Sequence, residues 1–216
     1  MKTYLEIVNL VLAELREDEV TSVSSDVYVR LIGRLVNRAK QQCEDAHDWS
    51  ALLSEETIAT SPGVTDYPLT NSHNRATIDY VINSDDGNVV RPATRQWVQK
   101  QIISGFTPQS KPVYWTNYGV DSNGDAVVRL FPEPDTTHNY KVICFIRPGD
   151  LEDNEDVLTI PHQPVVDLAI AFAVRERGEV GGTATPEYFE LAKRSLSDAI
   201  AYDAARNDYD DDWYVP

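Results

Sequence analysis

The sequence predicts an α+β protein in which helices at both ends of the chain enclose a block of β-strands. Apolar residues recur at helical spacing within residues 1–47 and again after residue 163. Between these parts, β-branched and aromatic runs are separated by prolines and by Asn-Gly or Asp-Gly pairs. Since 42% of the 216 residues are hydrophobic, the chain can form a buried core. We therefore expect a helical bundle from the N- and C-terminal helices with an inserted antiparallel β domain.

The first helix begins near Thr3. Thr3 and Glu6 have the spacing of a capping box, in which each side chain accepts a hydrogen bond from a backbone N–H of the first turn. The polar residues 17–25 then break the helical pattern. The expected apolar face consists of Leu5, Val8, Leu12 and Leu15.

A second helix is expected from about residue 26 to residue 47. Its apolar residues recur at intervals of three and four, which places them on one side of a helix. If this stripe lies in the core, Leu35→Ala should cost about 2–5 kcal/mol. The stripe comprises Tyr28, Ile32, Leu35, Ala39, Cys43 and Ala46.

The middle of the chain has the pattern of β-strands. Two turn pairs, Asp86-Gly87 and Asn123-Gly124, each lie between apolar runs and predict hairpins. A short helix is expected at residues 95–104. The expected strand runs are 57–60, 77–82, 89–90, 113–118, 126–131 and 140–146.

The last third of the chain is helical again. Pro164 suits the start of a helix and Gly178 suits its end. A final helix should open at Thr185-Pro186 and end near Arg206, with one apolar face formed by Phe189, Ala192, Leu196 and Ala199. The expected organisation is a helical bundle of residues 1–55 and 161–206, an inserted β domain of residues 56–160, and a C-terminal docking tail of residues 207–216.

Composition restricts the class of protein. The chain has 19 Lys and Arg against 35 Asp and Glu, and its formal charge of −16 disfavours a protein that binds nucleic acid by neutralising phosphates. The longest apolar run, 165–174, is too short to span a bilayer, and the start of the chain lacks the pattern of a secretory signal. Cys43 and Cys144 are too few for a disulfide framework. We expect a protein made in a reducing cytoplasm, without a membrane partner.

The sequence provides no set of residues with the spacing of a catalytic, cofactor or metal site. No glycine-rich nucleotide motif, nucleophile elbow or zinc-binding helix motif occurs. Asp121, Asn123 and Asp125 alternate like the start of a calcium loop, but the pattern fails after them, and a hairpin tip is the favoured interpretation. Cys43 and Cys144 lie in apolar patterns and are expected to be buried. The histidines are scattered, at positions 47, 73, 138 and 162.

Two acidic segments stand out. Residues 150–156 hold five acids in seven positions, and like charges should keep this loop extended and solvated. The tail has acids and aromatics together, which favours docking to a basic partner surface with pockets for the rings. The alternative is that Trp213 packs back onto its own domain. The candidate docking residues are Tyr209, Asp210, Asp211, Asp212, Trp213, Tyr214 and Pro216.

The order of short motifs along the chain resembles a known family, the head-to-tail connector (adaptor) proteins of tailed bacteriophages, in particular the podovirus tail tubular protein A type. The similar positions are VNLVLAELR at 8–16, VTSV at 20–23, CEDAHDWSAL at 43–52, YPL at 67–69, PVYW at 112–115, VRLFPEP at 128–134, YKV at 140–142, RP at 147–148 with Leu151, and IP at 160–161.

This resemblance implies a virion structural protein without catalytic residues. Such proteins form a twelve-fold ring beneath the portal protein in the virion neck, extend the DNA channel and present a platform to the tail or nozzle protein. An acidic lumen would let the genome pass without sequence-specific binding. The apolar run 165–174 would then be buried in the bundle or against a neighbouring subunit, or else within its own subunit.

A rival interpretation is a small acidic ligand-binding module or enzyme that uses the β domain. Trp97, Trp115 and Tyr118 are the natural candidates for a surface that stacks on a ligand. Core packing is expected for at least two of these three side chains.

Overall fold

The computed structural model describes residues 1–70, 72–106, 108–177 and 184–206, except for the side chains of residues 184 and 185. The described part contains five α-helices and seven strands, so the fold is α+β as predicted. The described residues of Met1–Ala51 and Asp150–Pro216 form one compact unit, and those of Leu52–Gly149 form a second. None of the described helices has the length and apolarity that crossing a bilayer requires.

Helix α1 (Tyr4–Glu14) begins with the predicted capping box. Thr3 Oγ1 accepts a hydrogen bond from Glu6 N at 3.3 Å, and Glu6 Oε2 accepts one from Thr3 N at 2.9 Å. Of the four residues predicted to form the apolar face, Val8 and Leu12 are buried, whereas Leu5 and Leu15 are half-buried. The buried face of α1 starts at Tyr4 and continues at intervals of three and four residues. Its residues are Tyr4, Ile7, Val8, Val11 and Leu12.

Helix α2 (Val27–Asp45) lies where the sequence predicted it, and Asp26 Oδ1 caps it by accepting a hydrogen bond from Val29 N at 2.9 Å. The predicted stripe is displaced, since Tyr28 and Leu35 are half-buried and Ala46 is exposed. The buried face includes a charged pair, which a pattern of apolar residues does not reveal. Its residues are Val29, Ile32, Gly33, Val36, Ala39, Lys40, Cys43 and Glu44.

Two features explain this displaced face. Lys40 Nζ lies 2.9 Å from Glu44 Oε1, and both side chains are buried. A Cβ atom at Gly33 would overlap the hydroxyl of Tyr4, so glycine at this position lets the Tyr4 ring of α1 approach the backbone of α2. The close contact between α1 and α2 therefore depends on the absence of a side chain.

Helix α4 (His162–Glu176) packs against α1, α2 and α5 (Ala184–Ala204) within the same unit. Nine of its residues are buried by one copy of the chain, including Val165, Ile170 and Phe172. The apolar run 165–174 therefore needs no neighbouring subunit to cover it. The α5 prediction is confirmed, because Ala192 is buried and Phe189, Leu196 and Ala199 are half-buried on the same side. Gly178, the predicted end of the helix, lies outside the described residues.

The second unit contains a seven-stranded sheet with the order β1-β7-β3-β4-β5-β6-β2. Both predicted hairpins are present, since β3 pairs with β4 and β5 pairs with β6 in antiparallel fashion. A wholly antiparallel sheet was expected, and this is wrong at one place, because β4 and β5 are parallel. The strands are β1 (Leu53–Ala59), β2 (Asp66–Pro68), β3 (Thr77–Asn83), β4 (Val89–Pro92), β5 (Tyr114–Val120), β6 (Ala126–Phe131) and β7 (Asn139–Phe145).

Helix α3 (Arg95–Ile103), which the sequence predicted, connects these two parallel strands. A parallel pair needs a crossover connection, and the segment between β4 and β5 supplies one that includes a helix. Thr94 caps the helix by accepting a hydrogen bond from Trp97 N at 3.2 Å, and Val98 is its buried residue. One side of α3 is therefore packed inside its unit through Val98, and the other side is exposed to solvent.

Candidate interaction surfaces

The end of α5 is fixed by a buried carboxylate. Asp203 Oδ2 accepts a hydrogen bond from Ser50 N at 2.8 Å, and Asp203 Oδ1 accepts one from Ser50 Oγ at 2.5 Å. His47 Nε2 lies 3.3 Å from Asp203 Oδ2. These contacts hold the last turn of α5 against the turn that follows α2. The candidate docking tail begins four residues after Asp203 in the sequence.

The same turn is held by Trp49, which is fully buried. Its indole Nε1 donates a hydrogen bond to the carbonyl oxygen of Cys43 at 2.8 Å, and the ring meets His47 edge-on with a centroid distance of 5.2 Å. The hydrogen bond closes the C-terminal end of α2. The sequence singled out this Trp only through the family resemblance.

The proposed portal-docking residues lie outside the described part of the chain. This applies to Tyr209, Asp210, Asp211, Asp212, Trp213, Tyr214 and Pro216. Their role therefore remains a prediction from the sequence. Arg206, the residue before the tail, is described and lines a groove between α4 and α5.

This groove has a volume of about 530 Å³. Its apolar side chains include Leu191, which is 52% exposed, and Tyr202, which is 77% exposed. Arg194 and Asp198 supply charges of both signs. Helix α5 thus has apolar residues on two sides, and the sequence pattern predicted only the inner side. The 11-residue spacing between Leu191 and Tyr202, about three helical turns, is a signal that could have revealed the outer side.

The exposed side of α3 borders a larger open cavity of about 1030 Å³. We call its main lining residues the α3 surface: Arg95, Gln96, Gln99, Lys100, Ile103 and Tyr118. The five helical residues have the spacing of one helix face. Ile103 is 77% exposed, which makes it an apolar side chain without cover within the described residues. The α3 surface therefore combines two cations with exposed apolar atoms.

The three side chains proposed to stack on a ligand have different surroundings in the structure. Trp115 is buried in the sheet core. Trp97 is 37% exposed and rests on Tyr114, with a centroid distance of 5.0 Å, while Tyr118 is 36% exposed and lies under the Arg129 guanidinium at 3.3 Å. The expectation that at least two of the three would pack in the core is therefore wrong, because only Trp115 does.

The acidic loop 150–156 is solvated, as expected, but it is not an extended loop. Leu151 N donates to Asn37 Oδ1 and Asn37 Nδ2 donates to the Leu151 carbonyl oxygen, both at 2.9 Å. Asn154 Oδ1 accepts from Val23 N at 3.0 Å. These bonds attach the loop to α2 and to the segment before it, through the Leu151 backbone and the Asn154 side chain.

Asp156 also belongs to this scaffold. Its Oδ2 atom accepts hydrogen bonds from Glu152 N at 2.6 Å and Asp153 N at 2.8 Å. These two backbone donors lower the pKa of the Asp156 carboxyl. The other four acidic residues of the loop are exposed: Asp150, Glu152, Asp153 and Glu155. The loop therefore presents several carboxylates from a fixed backbone.

The other polar candidates have structural roles. Asp121 Oδ1 accepts hydrogen bonds from Asn123 N and Asp125 N, at 2.8 and 2.9 Å, which confirms the interpretation of this segment as a hairpin tip. Within the described ranges, no group of three or more His, Cys, Asp or Glu residues is arranged to hold a metal ion. Cys43 and Cys144 are buried, and burial raises their pKa values to about 12 and about 11.

Comparison with known proteins finds a family model that matches nearly the full length of the chain. The model of a protein family described as "SU10 adaptor protein" matches residues 2–216. No curated protein matches the chain. The family match includes residues of both compact units.

Proposed function

The chain belongs to the SU10 adaptor protein family of phage structural adaptors, and on this premise we propose that it is a head-to-tail connector of a tailed bacteriophage. Twelve copies would form a ring beneath the portal protein, extend the DNA channel and carry the tail or nozzle protein. The family match over residues 2–216 is the observation that carries this proposal. A structural adaptor is not an enzyme class, and its place is in the virion.

Two further properties support a connector. The chain resembles the tail tubular protein A type of podovirus connector in the order of its motifs, which motivates our assignment to that type. The formal charge of −16 suits a channel through which DNA passes, because carboxylates in the lumen would repel phosphates. We further propose that the helices of residues 1–55 and 161–206 act as one bundle with the β domain inserted between them, made in the host cytoplasm before assembly.

We assign attachment to the portal to the C-terminal tail. Trp213 and Tyr214 would enter a groove between portal subunits, while Asp210, Asp211 and Asp212 would meet basic portal residues. The tail follows Arg206 directly, so its starting point is set by the Asp203–Ser50 contact. Repeating a modest contact around a ring raises the total affinity through effective concentration.

The test mixes the protein with the portal from the same genome and examines the mixture by sedimentation and electron microscopy. The full chain should form rings on the portal, and attachment should weaken as salt is raised. Deletion of residues 207–216 should abolish co-sedimentation while leaving the fold intact. Undiminished attachment of the shortened chain would refute the role of the tail, and failure of the full chain to bind would refute the connector.

A finer comparison isolates the aromatic anchors. Trp213→Ala with Tyr214→Ala should lose at least tenfold in portal affinity, because buried aromatic anchors contribute about 2 kcal/mol or more each. Tyr80→Ala provides the matched control, since Tyr80 is an exposed aromatic on β3. Equal affinities for the two variants would contradict aromatic anchoring. Tight binding of a small ligand by a chain that never assembles would favour the rival ligand-binding module.

A further inference from the structure

The charge of the chain is unevenly distributed. Residues 87–120 contain four basic residues, Arg91, Arg95, Lys100 and Lys111, and no Asp or Glu. The chain as a whole has a formal charge of −16, so the remaining residues carry −16 − 4 = −20. A local positive segment in so acidic a chain is unexpected for a surface that only needs to be soluble. It indicates a contact with a negatively charged partner.

The α3 surface is where this positive charge is available. Lys111 pairs with Asp86, and Arg129 makes two hydrogen bonds to Asp66 at 2.5 and 2.6 Å, so these two cations have partners within their own unit. Arg95 and Lys100 are exposed and line the open cavity. Ile103 and Tyr118 add apolar contact area beside them, and Gln96 and Gln99 add hydrogen-bonding groups.

The acidic loop has the complementary properties. No Lys or Arg occurs between Arg147 and Arg175 in the sequence, so the five acids of residues 150–156 lack basic neighbours along the chain. Lys2, whose carbonyl oxygen accepts from Leu158 N, places its ammonium 3.6 Å from Glu6. Val157 is exposed beside the acids and offers an apolar contact. A cationic partner would relieve the repulsion that the rigid backbone maintains.

We propose that, in the connector ring, the α3 surface of one copy binds the acidic loop of the next copy. Arg95 and Lys100 of one subunit would face Glu152, Asp153 and Glu155 of its neighbour. The apolar side chain of Ile103 would pack near Val157. This inference rests on the proposed function, because it assigns the contacts that join the subunits of that ring.

Symmetry supports a second copy as the partner. A closed ring requires a heterologous interface, in which each subunit offers two different surfaces, one to each neighbour. Among the described residues, the basic α3 surface belongs to the unit Leu52–Gly149, and the acidic loop belongs to the unit of Met1–Ala51 with Asp150–Pro216. Every copy therefore supplies both halves of the contact, and the pairing repeats around the ring.

Charge exchange between the two surfaces tests the proposal. Two double variants are compared with the unmodified chain by counting rings on the portal in electron micrographs. One carries Arg95→Glu with Lys100→Glu, and the other carries Asp153→Lys with Glu155→Lys. Each should reduce the fraction of protein in rings at least tenfold. The chain that carries all four substitutions should recover assembly, because the signs are complementary again. A merely structural role for these residues would not produce this recovery.

The matched control reverses two cations elsewhere. Arg30 and Arg34 are exposed one turn apart on α2, so Arg30→Glu with Arg34→Glu changes the net charge by the same amount. This control should assemble like the unmodified chain. An equal loss in the control, or no loss at the α3 surface, would overturn the proposal. Thermal melting of each variant verifies that the fold is retained.

Cross-linking makes the result independent of portal attachment. Gln96→Cys and Glu152→Cys variants are mixed and treated with a short bismaleimide, with and without portal. Both native thiols are buried, so the introduced thiols are the reactive ones. We expect a covalent dimer that contains one copy of each variant. If this dimer is absent from both samples, the interface is refuted, whereas the connector itself is refuted only by failure of the unmodified chain to bind the portal.

Discussion

Asp203, on the last turn of α5, accepts two hydrogen bonds from Ser50, which lies 153 residues earlier in the chain. One comes from the backbone N–H at 2.8 Å and the other from the hydroxyl at 2.5 Å. The contact joins the end of the last helix to the turn that follows α2. It therefore fixes the last turn of α5, close to Arg206, the last described residue.

Replacement of Asp203 should weaken the fold measurably. In Asp203→Asn a neutral amide with one oxygen replaces the two carboxylate oxygens, so the charge-assisted hydrogen bonds from Ser50 are weakened. We expect the free energy of unfolding in urea to fall by about 1–3 kcal/mol. Asp198→Asn, five residues earlier on the same helix and exposed, should change it by less than about 0.5 kcal/mol. Equal effects of the two substitutions would mean that the contact contributes nothing specific.

The displaced face of α2 predicts a contrast between two aliphatic residues. Ile32 is 1% exposed, whereas Leu35 is half-buried beside Tyr28 and Ala173. Ile32→Ala should cost about 2–5 kcal/mol of folding free energy. Leu35→Ala should cost clearly less, since part of its surface is already in water. Chemical denaturation of both variants gives the comparison, and a larger loss at Leu35 would show that the exposed part of its side chain is covered in solution.

The buried pair of Lys40 and Glu44 predicts non-additive effects. Removal of one partner, as in Glu44→Ala, leaves a buried ammonium group next to an empty space and should cost about 3–5 kcal/mol. The double variant Lys40→Met with Glu44→Leu keeps the volume and removes both charges. It should be more stable than Glu44→Ala alone, because no buried charge loses its partner. A double-mutant cycle that adds the single variants Lys40→Met and Glu44→Leu, measured by urea unfolding, checks this coupling, and strictly additive losses would contradict a coupled pair.

The two cysteines predict how the protein responds to alkaline pH. Burial raises the thiol pKa values from 9.0 to about 12 for Cys43 and about 11 for Cys144. At pH 8 about one part in a thousand or less of either thiol is ionised, so both should be inert to a thiol reagent until urea is added. Above pH 9 the unfolded chain loses these protons first, and stability should fall as the pH rises toward the folded pKa values. Fast labelling of the native protein at pH 8 would show that the thiols are accessible.

Local chemistry was sufficient for much of the fold. The capping box at Thr3 and Glu6, the Asp26 end of α2, and the turns at Asp86-Gly87 and Asn123-Gly124 depend on groups a few residues apart. Interactions at this range can be recognised from the sequence. The inward face of α5 was also correct, because a 21-residue helix shows its period clearly.

Other features required contacts between distant residues. The parallel pairing of β4 with β5 depends on how the segment that contains α3 returns along the sheet, and a pattern of alternating residues does not specify strand direction. The shift of the α2 face depends on Gly33, which admits the ring of Tyr4, and on a charged pair that is buried because each charge neutralises the other. The predicted apolar stripe of α2 contains neither Gly33 nor the charged pair, so it could not indicate the shift.

The sequence by itself determined the α+β class, the positions of the elements and the motif order that resembles the phage connectors, since these follow from periodicity, turn chemistry and composition. The tertiary structure alone decided which carboxylates act as structural acceptors and which remain on the surface. Asp203 accepts hydrogen bonds from Ser50, 153 residues earlier in the chain, whereas Asp153 and Glu155 face solvent. The physical reason is that a carboxylate gains its partners from the fold around it, and those donors come from segments that only folding brings within hydrogen-bonding distance.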